Sequence, residues 1–213
     1  MIKIATFTFN PFSENTYILY DESGEAVIVD PGNYEPDEDT RLSDFIRENS
    51  LKPVLIANTH AHVDHVLGVS HVKRNWGIPF SLHRQEEPVL RSVKVYAPHY
   101  GFMAYEEPEV DHWLREGEKI TFGSSEMEII FVPGHSPGHI AFYSGEHGVL
   151  MAGDVLFRES IGRTDLPGGN HQTLIASILE KVFVLPDEVT VYPGHGPSTT
   201  VGYEKKNNPF FRL

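Results

Sequence analysis

Residues 59–65 read Thr-His-Ala-His-Val-Asp-His, which places three imidazoles and a carboxylate within six positions. The apolar run just upstream, residues 54–57, is typical of a buried β-strand, so the cluster should follow a strand end. Alternate residues share a face on an extended chain, whereas residues two apart on a helix do not. We therefore expect His60, His62 and Asp64 to converge at a sheet edge, with His65 beside them.

Histidine nitrogens and carboxylate oxygens are the ligands that suit zinc, iron or manganese. The same grouping recurs at three later strand ends, where an apolar run passes through Gly or Pro into His135, Asp154 or His195. Two alternatives exist: a lone histidine after a strand is more often structural, and a solvated histidine-rich loop need not bind any metal. Four matching strand ends favour a metal site over both alternatives.

This set of side chains resembles the ligand pattern of the metallo-β-lactamase-fold hydrolases: His60, His62, Asp64, His65, His135, Asp154 and His195. The resemblance runs from residues 28–32, Ile-Val-Asp-Pro-Gly, to residues 192–195, Tyr-Pro-Gly-His. Residues 162–169 and 202–210 narrow it further. They are similar to the short, single-domain bacterial branch of glyoxalase II-like (hydroxyacylglutathione hydrolase-like) thioesterases.

The resemblance implies a role for each of these residues. It implies that a first metal is bound by His60, His62 and His135, and a second by Asp64, His65 and His195. Asp154 bridges both metals, and the two aspartates of the set, Asp64 and Asp154, are also the expected catalytic residues. The cofactors expected are two divalent metal ions, zinc first, with iron and manganese as alternatives. Two further residues, Asp30 and His139, are expected to be supporting or structural rather than ligands.

The pattern of apolar runs predicts an α+β protein. Strands are predicted at 2–9, 15–20, 25–30, 53–57, 78–82, 119–122, 126–132, 139–144, 148–152 and 189–192. Helices are predicted at 38–49, 66–76 and 171–183. Two strand-rich halves indicate two sheets packed face to face with helices outside, and the resemblance implies an αβ/βα four-layer sandwich with the metal site along one edge. Residues 91–112, rich in aromatics, are expected to form either a lid over the site or a packed surface loop.

Composition narrows the class of protein. The 213 residues suit one domain, 1–213, without the C-terminal glutathione-binding helical domain of longer glyoxalase II enzymes. No cysteine is present, which excludes disulfides, a cysteine nucleophile and a cysteine metal ligand. Lys and Arg total 17 against 30 Asp and Glu, a formal charge of −13 that disfavours nucleic acid as a partner. No signal peptide or membrane-spanning run is visible, so we expect a cytoplasmic protein without a membrane partner.

The function expected from these features is the hydrolysis of a small anionic thioester by a dinuclear metal site. A hydroxide that bridges the two metals would be the nucleophile. The alternative is a mononuclear-iron persulfide dioxygenase, because His60, His135 and Asp154 together form the two-histidine, one-carboxylate ligand set of non-haem iron oxygenases. An RNA-processing nuclease and a β-lactamase are less favoured. The acyl group, the thiol carrier and the oligomeric state are left open.

Overall fold

The computed structural model describes residues 1–212, which divide into two units. The first unit comprises Met1–Leu114 together with Thr121–Glu126, and the second comprises Arg115–Ile120 and the residues from Met127 onwards. The prediction of a single domain stays a prediction. Within residues 1–212, no helix combines the length and the apolar character that crossing a bilayer requires.

The first unit contains a six-stranded sheet. Its elements, in chain order, are β1 (Lys3–Phe9), β2 (Glu14–Tyr20), β3 (Glu25–Val29), α1 (Pro36–Glu48), β4 (Lys52–Ala57), α2 (Val63–Val66), α3 (Val69–Trp76), β5 (Phe80–His83), α4 (Glu87–Tyr96) and β6 (His112–Leu114). The strand order is β1-β2-β3-β4-β5-β6. The first three strands form the predicted antiparallel meander, and β3 to β6 run parallel.

This topology decides which residues meet at one sheet edge. Because β3, β4 and β5 are parallel, their carboxyl ends lie along the same edge, followed by Asp30, Asn58 and Arg84 respectively. Strand β2 runs in the opposite direction, so its first residue, Glu14, lies at that edge as well. Buried apolar residues such as Ile18, Ile28, Ile56 and Phe80 form the core beneath it.

The second unit carries most of another six-stranded sheet, with strand order β14-β13-β10-β9-β8-β7. The elements of this half are β7 (Lys119–Phe122), β8 (Ser125–Phe131), β9 (Ile140–Ser144), β10 (Val149–Gly153), β11 (Leu156–Phe157), β12 (Ser160–Ile161), α5 (His171–Ser177), β13 (Thr190–Pro193), β14 (Thr199–Thr200) and α6 (Val201–Asn207). A π-helical turn, Ile178–Val182, continues α5. The tip of the β7–β8 hairpin belongs to the first unit.

Three strands of this second sheet end at a common edge. Strands β10 and β13 are parallel, and β9 is antiparallel to both β8 and β10, so β8, β10 and β13 all point the same way. The segments after them carry His135, Asp154 and His195. The core of this unit includes Leu150 and Val191 from the sheet and Leu174 and Ile178 from the α5 region, all fully buried.

Some local predictions are wrong. The helix expected from 66 to 76 starts later, at Val69, and ends at Trp76 as predicted; the unpredicted turn α2 precedes it, and residues 67 and 68 separate the two. The region 91–112, expected to form a lid or a surface loop, begins inside helix α4, which is followed by a 3₁₀ turn at Ala97–Tyr100. Proline in the first turn is compatible with a helix start, and Leu90, Val93 and Ala97 supply the buried face. Helix α6 was not predicted either; Thr200 caps it by accepting a hydrogen bond of 3.1 Å from the Tyr203 amide.

Candidate metal centre

The sequence pattern predicts that residues 59–65 continue β4 as an extended strand end, and this prediction is wrong. Strand β4 ends at Ala57, and Val63–Val66 forms the single helical turn α2 with His62 at its N-cap. The turn places Asp64 and His65 side by side, with His65 Nε2 3.7 Å from Asp64 Oδ2. The ring centre of His60 lies 4.1 Å from that of His65 and 4.8 Å from that of His62. The first unit therefore brings together the four ligand-type side chains of this segment, all of them buried.

A carboxylate behind the cluster orients His65. Asp30 Oδ2 lies 3.2 Å from His65 Nδ1, and a carboxylate can only accept here, so Nδ1 carries the proton. The lone pair of His65 is then on Nε2, the atom nearer Asp64. Asp30 follows β3 with a positive φ of 48°, a conformation that aspartate tolerates better than most residues. These contacts match the supporting role expected of Asp30.

Thr59 links the same carboxylate to His60. Asp30 accepts hydrogen bonds from the Thr59 amide at 2.7 Å and from its hydroxyl at 2.6 Å. Since the hydroxyl proton is donated to Asp30, the Thr59 oxygen accepts from His60 Nδ1, 3.0 Å away. His60 and His65 are thus both held through Nδ1, which leaves Nε2 of each as the ligand atom. This is the usual arrangement of metal-binding histidines.

Other buried polar groups hold the backbone of the segment in place. The Asn58 side-chain amide donates to the His65 carbonyl at 2.7 Å, and Glu86 accepts from the Ala61 amide at 2.9 Å. The Asn10 side chain donates to the Asp64 carbonyl at 3.0 Å. Gly32 passes so close that a Cβ there would collide with the Asp64 carbonyl oxygen and the Glu14 carboxylate. The segment is therefore a rigid platform rather than a flexible loop.

Glu14 is a second carboxylate behind His65 and was missed in the sequence. It is fully buried, it accepts a 2.9 Å hydrogen bond from the Thr16 hydroxyl, and its Oε1 lies 3.9 Å from His65 Nδ1. Burial raises the pKa of the Glu14 carboxyl well above its usual value. The available signal was an acidic residue at the start of a strand that is buried along almost its whole length.

In the second unit, one carboxylate lies between two histidines. Asp154 Oδ2 is 3.5 Å from His135 Nε2 and 3.5 Å from His195 Nε2. Asp154 and His135 are almost fully buried, whereas about a quarter of the His195 side chain, 27%, is exposed. Both histidines direct Nε2 toward the same carboxylate oxygen. The arrangement suits an aspartate whose carboxylate could bind the same metal as either histidine.

His135 is also held through Nδ1. Its Nδ1 lies 2.8 Å from the Arg163 carbonyl oxygen, which can only accept, so Nδ1 donates and Nε2 keeps its lone pair. The Arg163 side chain forms a bidentate pair with Asp165, with both N···O distances 2.7 Å. At Gly162 a Cβ would collide with the Asp154 carbonyl oxygen. The loop after β12 therefore buttresses both His135 and Asp154.

His139 lies close to these residues but has a different task. It is fully buried, and its Nε2 accepts a hydrogen bond from the Asp154 backbone amide at 3.1 Å. The lone pair of Nε2 is thereby committed to the backbone. His139 fixes the peptide that carries Asp154, in agreement with the structural role expected of it.

The donor sets of both units fit a divalent metal. Three histidines, His60 and His65 in the first unit and His135 in the second, are held through a donating Nδ1, so each keeps the lone pair of Nε2 for a metal. Aspartates 64 and 154 stand beside such Nε2 atoms. Imidazole nitrogen with carboxylate oxygen is the ligand set of zinc, iron and manganese in proteins. The assignment of individual ligands to individual metals stays a prediction.

Comparison with known proteins agrees with this chemistry. The family model of the metallo-beta-lactamase superfamily matches residues 9–195. Hydroxyacylglutathione hydrolase GloC of Haemophilus influenzae is 36% identical over 211 residues, covering 98% of each chain.

Two solved structures are also similar. BLEG-1, described as a B3 metallo-beta-lactamase, is 36% identical with a TM-score of 0.88, covering 99% of this chain and 100% of its own. TTHA1623, solved in a di-iron-bound form, is 39% identical with a TM-score of 0.86, covering 97% and 99%. The predicted fold class is confirmed, and this chain belongs to the metallo-beta-lactamase superfamily.

Proposed function

We propose that this protein is a dinuclear metal-dependent hydrolase of small thioesters, similar to hydroxyacylglutathione hydrolase. Its family membership and the 36% identity with GloC, which is named for such an activity, support the proposal. One metal would be held by His60, His62 and His135 and the other by Asp64, His65 and His195, with Asp154 shared. Zinc is the metal proposed first, and iron is the alternative because TTHA1623 binds it.

The observation that carries the proposal is the position of Asp154. A single oxygen of its carboxylate lies 3.5 Å from Nε2 of His135 and of His195, and the family pattern assigns these two histidines to different metals. A carboxylate has two oxygens and can serve two cations at once. A shared carboxylate would help to hold two cations close together, as two-metal hydrolysis requires, whereas a mononuclear oxygenase has one metal and no use for sharing.

When bound, a pair of divalent cations supplies a water-derived nucleophile near neutral pH and stabilises the negative charge that develops on the substrate carbonyl oxygen. The side chains of this protein set the conditions for that chemistry. Asp30, Thr59 and the Arg163 carbonyl hold the Nδ1 protons, so the neighbouring Nε2 atoms keep a fixed direction. In the net reaction a C–O bond forms, the C–S bond breaks, and the products are a carboxylate and a thiol.

The leaving group places few demands on the protein. A thiol has a pKa of about 8.5, so a thiolate departs without protonation by a strong general acid. No acid is therefore assigned to this step. In an ester or an amide the leaving group is an alkoxide or an amine anion, which is far more basic than a thiolate and would need a general acid.

A second candidate function is β-lactam hydrolysis, since BLEG-1, at 36% identity, is described as a metallo-beta-lactamase. It uses the same metal-assisted attack on a carbonyl carbon, with an amide nitrogen as the leaving group. The thioesterase proposal is preferred because the thiolate needs no proton donor.

The test uses apoprotein reloaded separately with zinc, iron or manganese. Thiol release from S-lactoylglutathione and from S-acetyl-N-acetylcysteamine is followed with a thiol reagent while an electrode records oxygen. We expect thiol release without oxygen uptake. Asp154→Ala should lower kcat/KM by about 100-fold or more, because removing a metal ligand should cost at least as much as removing the hydrogen-bond partner of one, which costs about 10- to 100-fold. The matched control is Asp187→Ala, because Asp187 is an exposed aspartate that pairs with Lys205 and lies outside the ligand set.

Two outcomes would reject the proposal. Oxygen uptake with glutathione persulfide, without cleavage of either thioester, would establish the dioxygenase alternative. Turnover of nitrocefin at a kcat/KM above that of every thioester tried would establish the lactamase instead.

A further inference from the structure

An aromatic surface of the first unit has no part in the function described so far. Four rings, of Phe12, Tyr96, Tyr100 and Phe102, are linked by edge or tilted contacts and form what we term the aromatic wall. The ring centre of Phe12 lies 5.4 Å from that of Tyr100 and 6.0 Å from that of Phe102, and Tyr96 lies 6.1 Å from Tyr100. Phe12 comes from the β1–β2 turn and the other three from the end of α4 and the segment after it.

Part of the wall is exposed to solvent, where apolar surface is unfavourable. Phe12 is 40% exposed and Tyr100 is 55% exposed, and Met103, next to Phe102 in the chain, is 77% exposed. Scattered apolar residues at a surface need no explanation, but a contiguous aromatic group often marks a binding site. Aromatic rings combine a large apolar area with little conformational freedom to lose on binding.

The wall is held in a fixed shape. Phe102 is buried, and its ring contacts Tyr34 edge-on with a centre-to-centre distance of 5.0 Å. The Tyr34 hydroxyl accepts a hydrogen bond of 3.0 Å from the Ala104 amide, which anchors the chain just beyond Phe102. A preformed apolar surface binds more strongly than one that must be ordered first.

Two connections join the wall to the Asp64 segment. Asn10 accepts from the Phe12 amide at 3.0 Å and donates to the Asp64 carbonyl at 3.0 Å, so one side chain holds both. On the other side, the hydroxyl of Tyr96 is hydrogen-bonded to the Val63 backbone. The wall therefore borders the helical turn that carries Asp64 and His65.

We infer that the aromatic wall binds an apolar or aromatic substituent of the substrate, so the preferred thioesters carry a large apolar group rather than a small polar one. This inference rests on the proposed thioesterase function, since it names the substrate class of the same site. Small-molecule sites combine an apolar lining with a few polar groups or a metal that orient the bound molecule. Here the side chains proposed to hold the metals lie on the segment that the wall borders, so the apolar part of the site would adjoin its polar part.

The experiment measures selectivity rather than activity alone. With one thiol, N-acetylcysteamine, kcat/KM is compared for the acetyl and phenylacetyl thioesters; with one acyl group, acetyl, it is compared for N-acetylcysteamine and benzyl mercaptan. The wild type should prefer the aromatic member of at least one pair. Phe12→Ala and Tyr100→Ala should each lower that preference about tenfold, the scale of lost apolar contact in a pocket.

Control variants separate the wall from general damage. Phe12→Leu keeps apolar volume and should retain most of the preference. Phe210→Ala removes another exposed phenyl ring, 50% exposed, and should leave the preference unchanged. The arm that responds, acyl or thiol, identifies the part of the substrate that contacts the wall.

A binding arm makes the result independent of catalysis. The thioether analogue of the phenylacetyl compound, with CH₂ in place of the carbonyl, cannot be hydrolysed, and calorimetry measures its affinity for each variant. If no thioester is cleaved, the proposed function fails, while a thioether affinity lost in Phe12→Ala still supports the wall. If thioesters are cleaved with the same preference in all variants, the wall inference is overturned and the proposed function stands.

A change from dimer to monomer in Phe12→Ala and Tyr100→Ala, with preference unchanged, would assign the wall to a second copy of the chain and overturn the inference as well.

Discussion

Oδ2 of Asp30 lies 3.2 Å from Nδ1 of His65, although the two residues are 35 positions apart in the chain. The contact fixes the tautomer of His65 and directs its Nε2 away from Asp30. The same carboxylate binds Thr59 through two hydrogen bonds, so one residue sets the orientation of two histidines. A change at Asp30 should therefore act on metal binding before it acts on anything else.

Asp30→Ala should weaken metal binding 10- to 100-fold, the usual effect of removing the partner of a ligating histidine. Competition with a chromogenic chelator, followed by elemental analysis, measures the affinity and the metal content. The control is Asp39→Ala, because Asp39 makes an equivalent 3.1 Å contact with His71, a histidine outside the ligand set. Equal metal affinity in the wild type and Asp30→Ala would show that the contact has no role in the site.

Asp154→Ala and His139→Ala should separate a shared ligand from a structural neighbour. The Asp154 change should remove most bound metal, since this carboxylate lies 3.5 Å from each of two ligand-type histidines. His139→Ala leaves the Asp154 amide without its acceptor and should cost about 1–3 kcal/mol of unfolding free energy while metal content stays close to that of the wild type. Metal analysis and urea unfolding of both variants make the comparison. Loss of metal in His139→Ala to the level of Asp154→Ala would contradict it.

Asp21 should make stability depend on acid pH. Its carboxylate accepts hydrogen bonds of 2.8–3.1 Å from the Ser124 amide, the Ser124 hydroxyl and the Ser125 hydroxyl, which pins the β7–β8 hairpin tip within the first unit. Burial on its own would raise the pKa of Asp21, but these bonds and those from Ser23 outweigh it and hold the pKa far below its usual value. The stabilisation is complete above the unfolded pKa of about 3.9 and is lost as the pH falls toward the folded value.

Asp21→Asn should therefore lower the unfolding free energy by about 1–3 kcal/mol at pH 7 and by progressively less below pH 4. Urea denaturation at pH 7, 5 and 3 measures this difference. The control is Asp165→Asn: Arg163 lowers the pKa of Asp165 to about 2, but the pair is exposed and solvent screens it. If the destabilisation by Asp21→Asn were the same at all three pH values, the charge of Asp21 would not be its source.

Arg163 and Asp165 allow a direct test of two roles. The bidentate pair supports a loop whose Arg163 carbonyl holds His135 Nδ1, so Arg163→Ala and Asp165→Ala should have similar effects, a reduction in kcat of severalfold at most. Steady-state kinetics on one thioester gives kcat and KM for both variants. A rise in KM of tenfold or more in Arg163→Ala alone would instead show that the guanidinium binds a carboxylate of the substrate.

Short-range pattern was enough to predict most of the secondary structure and the chemistry of the site. Alternating and continuous apolar runs located ten of the strands because side-chain burial follows the period of a strand. The ligand-type residues were visible because each follows such a run directly, and strand ends are where a sheet leaves room for a site. Fold class and family also followed from these motifs.

Long-range contacts decided the remainder. A single helical turn such as α2 has no periodicity of its own, so the pattern around Asp64 and His65 pointed to extended chain. The tasks of Glu14, Thr59 and Asp21 depend on partners that lie far away in the sequence or that only the local turn brings near. The aromatic wall joins the β1–β2 turn to the end of α4, two segments more than 80 positions apart. Hydrogen bonds and ring contacts of this kind form only when the sheet has brought their segments together, and a linear pattern of residue types carries no record of them.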